Sequence, residues 1–518
     1  MAATASSSMD RPGASDIVRR LVEICGPPFA RLAGPADEVA GCPARWVAVP
    51  GDARAAARVL RLAAQHDLAV VPRGAGTKID WGAAPARVDI VLDTGRLAGI
   101  DRPAGEPTEV EVGAGTPLRA IQATLGRSGH RLPLDPPSPG ATIGGVLAAD
   151  ESGPLRLCHG GPGDQLLRLR YLDAGGELVT VRLDPADLPA GNGVDLTGTG
   201  VNPDLTGTGV NPDLAVTGVN PDLTVTGADP DLAATGVDPD FWAAGATGFD
   251  VELPATGGFH GGAGVALARL LCGSQGGLGL LVSATLRVRE VPAGRRWVIR
   301  PVRDPAEART LVLEVLDADL DPAAIELHLP ADVGPRAFVH PDHPSVAGRS
   351  GLAGSVAVLL EGGLPEVDEQ AARLVGMLGA ETTVTRSAPD WWGRYPFGPA
   401  DVALRIEAAP EHLYSALYAL RDSAGGPVSV RGSFGSGVLH AALTGRLATV
   451  ERAVRIVAAA RAVLQPRQGR CVVVAAPAPV RDAVDIWGGP PGLPGLRDAK
   501  DRLDPHRRLA PGRLPGGL

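Results

Sequence analysis

Asp135-Pro136-Pro137-Ser138-Pro139-Gly140-Ala141-Thr142-Ile143-Gly144-Gly145 reads as a stiff loop that ends on two adjacent glycines. Each proline fixes its own φ and pushes the residue before it away from the helical region, so the path is set locally. Gly144 and Gly145 lack a Cβ and let the backbone approach a flat ligand. Upstream, the apolar strand expected at 68–71 runs directly into Pro72-Arg73-Gly74-Ala75-Gly76-Thr77-Lys78. Small residues there let backbone N–H groups close on an anion, and Thr77 adds a hydroxyl donor. The segment is neither a Walker loop nor a G-x-G-x-x-G fingerprint, so a Rossmann reading fails. Taken alone, it is a tight turn as readily as an anion site. Downstream, Gly273-Ser274-Gln275-Gly276-Gly277-Leu278-Gly279 turns straight into a strand expected at 280–288.

In this order and spacing, the three segments resemble the PCMH-type FAD-binding domain of vanillyl-alcohol-oxidase-like oxidoreductases, over residues 40–292. The resemblance implies that Arg73, Gly74, Ala75, Gly76 and Thr77, with Pro137, Gly140, Ala141, Thr142, Gly144 and Gly145, hold the FAD pyrophosphate. It likewise implies that Ser152, Gly273, Gly279 and Leu281 border the flavin. More narrowly, Gly76-Thr77-Lys78-Ile79-Asp80-Trp81-Gly82 and Ser152-Gly153-Pro154-Leu155-Arg156 look like the FAD-binding E subunit of glycolate oxidase. So does the C-terminal Asp504-Pro505-His506-Arg507-Arg508-Leu509-Ala510-Pro511-Gly512-Arg513. Covalently flavinylated relatives carry a histidine where this chain has Thr77, so non-covalent FAD is implied.

Substrate chemistry falls to His440, in Gly435-Ser436-Gly437-Val438-Leu439-His440, which resembles a worn form of the glycine-rich strand of flavin 2-hydroxyacid dehydrogenases. A neutral imidazole can take the hydroxyl proton of a small 2-hydroxy acid. A lone histidine on an apolar strand is equally a packed core residue. Arg405, on the strand expected at 402–406, offers a bidentate carboxylate clamp or a structural arginine. Trp391, Trp392 and Arg394 are weaker pocket candidates, and Lys78 is expected to face solvent. The implied partners are separate flavoprotein and iron–sulfur subunits of a glycolate-oxidase-like complex. Two departures stand out: His260-Gly261-Gly262-Ala263-Gly264-Val265-Ala266-Leu267 replaces the family's Lys-Asn-x-x-Gly-Tyr-Asp-Leu. His159-Gly160-Gly161-Pro162-Gly163-Asp164 lacks the usual arginine. They imply weakened activity, and leave open an FAD-binding but non-catalytic subunit of the same complex.

The remaining composition narrows the classes. A net charge of −9 with no basic cluster argues against a nucleic-acid partner. The five cysteines, Cys25, Cys42, Cys158, Cys272 and Cys471, are scattered, which excludes clustered thiolate sites for zinc or iron–sulfur and suits reduced cytosolic thiols. No apolar run is long enough to span a bilayer, and the expected location is cytoplasmic. A nonapeptide beginning Asp195-Leu196-Thr197-Gly198 recurs through 195–240 with a proline in every unit, and is expected to be a disordered surface insertion. The expected fold is α+β. A leader and helix over 1–39 precede a two-part FAD-binding domain over 40–292, followed by a ferredoxin-like α+β domain over 293–518.

Overall fold

The computed structural model describes residues 14–102, 108–183, 249–250, 263–331, 354–490 and 492–518. The nonapeptide insertion at 195–240 lies outside them, as does the start of the altered segment at 260–267. Three large sheets and a two-stranded ribbon, His130–Arg131 with Arg289–Glu290, carry the described residues. The first runs Ala30–Leu32, Trp46–Ala48, Ile90–Asp93, Val70–Arg73, its last three strands parallel. Its helix Ala53–Gln65 starts where the Asp52 carboxylate accepts from the Ala55 amide at 2.7 Å. Ala56, Val59, Leu60 and Ala63 recur at helical spacing and bury against Ile17 and Leu21 of the helix Ala14–Cys25.

The second sheet orders Phe249–Asp250, Leu178–Arg182, Leu166–Leu172, Leu280–Arg287, Glu109–Gly113 and Ile100–Asp101. Helices Leu118–Gly126 and Ile143–Ala149 supply Ile121, Leu125, Val146 and Leu147 to its core. Thr142 caps the second of these by accepting from the Gly145 amide, which fixes where the proline-stiffened loop ends.

The third sheet has eight strands, in the order Thr383–Thr385, Gly294–Val302, Gly354–Gly362, Ala324–Leu329, Ser429–Ser433, Val438–Leu443, Val402–Glu407, Arg470–Ala475. All neighbouring pairs are antiparallel. Helices Pro305–Asp317, Leu364–Leu378, Pro410–Ala424 and Val450–Leu464 cover one face around a core of Ile325, Leu327, Val358, Leu404, Ile406 and Leu439. The opposite face meets the cofactor-binding half, which is why Ala324–Leu329 is buried along its whole length although its side chains alternate. Residues 504–518 then leave this unit. Val70 donates to the Arg508 carbonyl and the Ala510 amide donates to the Val70 carbonyl, so the tail extends the first sheet. The tail therefore packs with the first two sheets, as does the helix Leu493–Leu503 before it, whose Leu493, Leu496 and Leu503 lie on the core of the second sheet.

Candidate functional site

The three glycine-bearing segments converge on an open cleft with a cavity volume of about 100 Å³. Several glycines lock the loops to one another. A Cβ on Gly74 would lie 2.3 Å from Thr142 Oγ1, and one on Gly276 would lie 2.9 Å from the Pro72 ring. Gly76 is different. Its φ is +75°, and a Cβ there would meet only Arg73 Cδ at 3.9 Å, so its open side faces the cleft. The amides of Ala75, Gly76 and Thr77 donate to no group among the described residues. Free amides on a turn through positive φ form an anion-binding concavity.

Of the residues singled out in the sequence, Arg73, Gly74, Ala75, Gly76, Thr77, Thr142, Gly144, Gly145, Gly279 and Leu281 line this cleft together. Gly140, Ala141 and Gly273 line neither it nor the second pocket described below. Arg73 does not present a free guanidinium: it pairs with Asp37 at 3.0 Å and with Asp93 at 3.0 Å, and so anchors its own loop. Lys78 corrects the solvent-facing expectation. Its side chain is 7% exposed and its Nζ sits 2.5 Å from the buried Glu151 carboxylate.

Two contributors went unassigned in the sequence reading. Arg513 enters the cleft from the C-terminal tail, donating to the Ile79 and Trp81 carbonyls. Burial pulls its pKa down to about 10, which leaves it charged at neutral pH. Lys500 is fully buried and uses all three protons, on the Gly277 carbonyl, the Leu509 carbonyl and the Asp504 carboxylate. It fastens the tail to the third glycine segment. The tail's motif was visible in the sequence, but nothing local told which sheet it joins.

A second, smaller pocket, with a cavity volume of about 30 Å³, opens on the helix-free face of the eight-stranded sheet. Strand register sets His440 and Arg431 opposite each other on its floor, with Arg405 beyond His440 and His328 beyond Arg431 in the same cross-strand row. Pro137, Ser152 and Arg156 form one wall, and Arg394 and Tyr395 another. Pro137 and Ser152, grouped with the cofactor residues in the sequence, thus border His440 instead. Arg405 pairs with Glu407 at 2.6 Å and holds charge beside His440. Arg431 donates to His328 Nδ1 at 3.1 Å and to the Tyr395 carbonyl. Among the described residues neither Arg431 nor Arg394 has a carboxylate partner. His440 is neutral: burial, then the nearby Arg405, pulls its pKa down to about 3. Trp391 stacks on His328 at 5.0 Å, while Trp392 packs edge-on to Trp297.

Tyr395 joins the two sites. Its hydroxyl donates to Glu151 at 2.9 Å, the same carboxylate that holds Lys78. Its ring lies 5.5 Å from Trp81 of the cleft and 4.8 Å from His440.

The family of FAD-binding domains matches residues 44–182. The D-lactate dehydrogenase of Archaeoglobus fulgidus is 28% identical over 135 residues, 26% of this chain and 30% of that protein. Glycolate oxidase subunit GlcE of Escherichia coli is 40% identical over 76 residues, 14% of this chain and 22% of that protein. The chain spans less than a third of the length of the curated relatives it matches. Among solved structures, an alkyldihydroxyacetonephosphate synthase superposes with a TM-score of 0.58 at 14% identity, covering 96% of this chain and 85% of that one. The free amides of Ala75, Gly76 and Thr77, with Arg513 close by, fit the charged centre of a dinucleotide. Residues 44–182 are an FAD-binding domain, FAD is the cofactor, and the chain's resemblance to the PCMH-type FAD-binding oxidoreductases holds.

Proposed function

We propose that this chain holds FAD non-covalently in the cleft and oxidises a small 2-hydroxy acid in the pocket on the sheet face. FAD when bound supplies the acceptor for the hydride of the α-carbon. The rest is the work of the chain. Arg431 and Arg394 hold the substrate carboxylate, because neither is neutralised by a carboxylate among the described residues. His440, already neutral, takes the hydroxyl proton. Arg405 stays paired with Glu407 and acts by position, keeping the neighbouring imidazole from protonating early. Tyr395, with Trp81, closes the pocket toward the cofactor cleft. The observation that carries the reading is the cross-strand row Arg405, His440, Arg431, which puts a base beside uncompensated positive charge. In this reading each half of the eight-stranded sheet is a ferredoxin-like unit, since each runs strand, helix, strand, strand, helix, strand.

The D-lactate dehydrogenase and glycolate oxidase names among the relatives support this substrate class. The second is named a subunit, which supports assembly with further subunits; in this reading they are a separate flavoprotein and an iron–sulfur protein. A second reading, an FAD-binding but non-catalytic subunit, is favoured by the altered segments 159–164 and 260–267. Anaerobic titration of the purified yellow protein with glycolate and with D-lactate separates them. Bleaching of the flavin band supports the first reading. A yellow protein inert to both supports the second, and a colourless one removes both.

A further inference from the structure

Glu326 sits in the middle of the eight-stranded sheet, 5% exposed, and lines the second pocket. Its Oε1 lies beside the Ser433 hydroxyl directly across the strand pair, the one group there that favours the ionised acid, yet neither atom completes a well-formed hydrogen bond. A polar atom buried without a partner costs about 1–3 kcal/mol, so such a group facing a pocket asks for a ligand to complete it. The arginines nearby do not take up the role, since Arg431 is turned to His328 and the Tyr395 carbonyl. We infer that Glu326 is a specificity-determining residue of this pocket, a neutral carboxylic acid that donates its proton to an acceptor oxygen of the bound anion. This rests on the anion reading of the pocket and deepens it. The ligand class becomes a carboxylate with a second oxygen on the adjacent carbon, one part facing Arg431 and Arg394 and the other facing Glu326.

The surroundings keep the acid protonated. Burial is the main cause and the neighbouring Asp135 carboxylate adds to it, so the Glu326 pKa stands well above its ordinary value. Asp135 itself is pushed up to about 7, chiefly by burial. The other charged groups around the pocket are His328 on the same strand, Arg431 and His440 on the next two, and Arg156, Arg394 and Tyr395 in the walls. Behind Asp135 stand Arg131 and Glu361. His328 and His440 titrate at about 4 and about 3, below the range that matters. Asp135 and Glu326 are therefore the groups that change charge as pH rises. An ionised Glu326 would lose its donor and repel the anion, so affinity falls with rising pH.

The test uses the flavin-loaded full chain with oxalate as probe, its binding followed by calorimetry at pH 6 and pH 9. Wild type should lose affinity at least about tenfold across this interval. E326Q keeps a neutral donor and should bind nearly equally at both, whereas E326A should bind weakly at both. D135N should move the wild-type loss to higher or lower pH according to the charge it removes, and the expected direction is lower. The same dependence in E326Q as in wild type, or full binding by E326A, overturns the inference. If oxalate fails to bind wild type at any pH, the anion reading of the pocket falls. The infrared band of a protonated carboxyl, present at pH 7 and lost in E326Q, then still reads Glu326 by itself. Its absence from wild type would overturn the inference independently.

Discussion

The cofactor cleft is made largely of backbone, in three short glycine-bearing segments each continuous in sequence, while the pocket on the sheet face is made of side chains gathered from separate strands. In the cleft, Gly74 touches Thr142 and Gly276 touches Pro72 at distances no other residue would allow. Charge enters it as amides and as Arg513. In the pocket, Arg405, His440, Arg431 and His328 meet only through strand register, and the energetics lie in burial and charge. The first site tolerates little change in shape and the second little change in chemistry.

Gly76→Val breaks the comparison at its strongest point. A branched side chain is strained at φ +75° and fills the open side of the turn. Flavin content, read from the visible spectrum, should fall essentially to zero. Gly129→Val supplies the control, with a φ of +72° and nothing within 4 Å, and should keep its flavin. Full flavin in the Gly76 variant would remove the loop from the cofactor site. His440→Asn probes the other side. It should leave flavin content unchanged and slow flavin reduction by about 10²–10⁴-fold. Equal rates in anaerobic stopped flow at matched flavin loading would take His440 out of the mechanism.

Lys500→Met acts on the joint between tail and cleft. It leaves the buried Asp504 carboxylate with only the Arg508 and Leu509 amides as partners and frees two carbonyls, an imbalance that costs about 3–5 kcal/mol. Chemical denaturation should show that loss, with flavin released before the main transition. A double replacement, Lys500→Met with Asp504→Leu, should recover part of the stability, since it removes the lone buried charge. If the single variant is as stable as wild type, the tail is not what holds the third glycine segment.

The same contrast explains what was legible in the sequence. The three loops announced themselves because proline and glycine act locally, and the strands expected at 280–288 and 402–406 stand at Leu280–Arg287 and Val402–Glu407. Glu326 did not, because Ile325-Glu326-Leu327-His328-Leu329 reads as a strand with a wet face. Only the second layer of protein turns that face inward. The strand Gly294–Val302 was missed for a related reason. Its arginines resemble a surface segment, yet Arg296 is buried against Asp368 and Arg295 pairs with Glu361 across the ladder. Lys78 was misjudged because its partner Glu151 is remote in sequence. Local backbone demands can be read from a chain, whereas which faces meet cannot.

The smallest effect concerns acid stability and should separate the two sites once more. His328 accepts from Arg431 through Nδ1, stacks on Trp391, and has its pKa lowered to about 4 by burial and by Arg431. It stays neutral in the folded protein while the unfolded chain takes up a proton near 6.5. The folded pKa is depressed, so this stability is present above about pH 6.5 and is lost as pH falls toward about 4. Asp135, raised to about 7, works the other way, since its contribution is present at low pH and lost as pH rises through about 7. One group changing protonation alters the slope by at most about 1.4 kcal/mol per pH unit. His328→Gln should therefore flatten the loss of stability between pH 6.5 and 5 by about 1 kcal/mol, and Asp135→Asn should steepen it. Gly129→Val, away from both, should leave the slope as it is. Urea denaturation at pH 5, 6 and 7 measures all three, and equal slopes in wild type and His328→Gln would show that the pocket histidine is not held neutral by the fold.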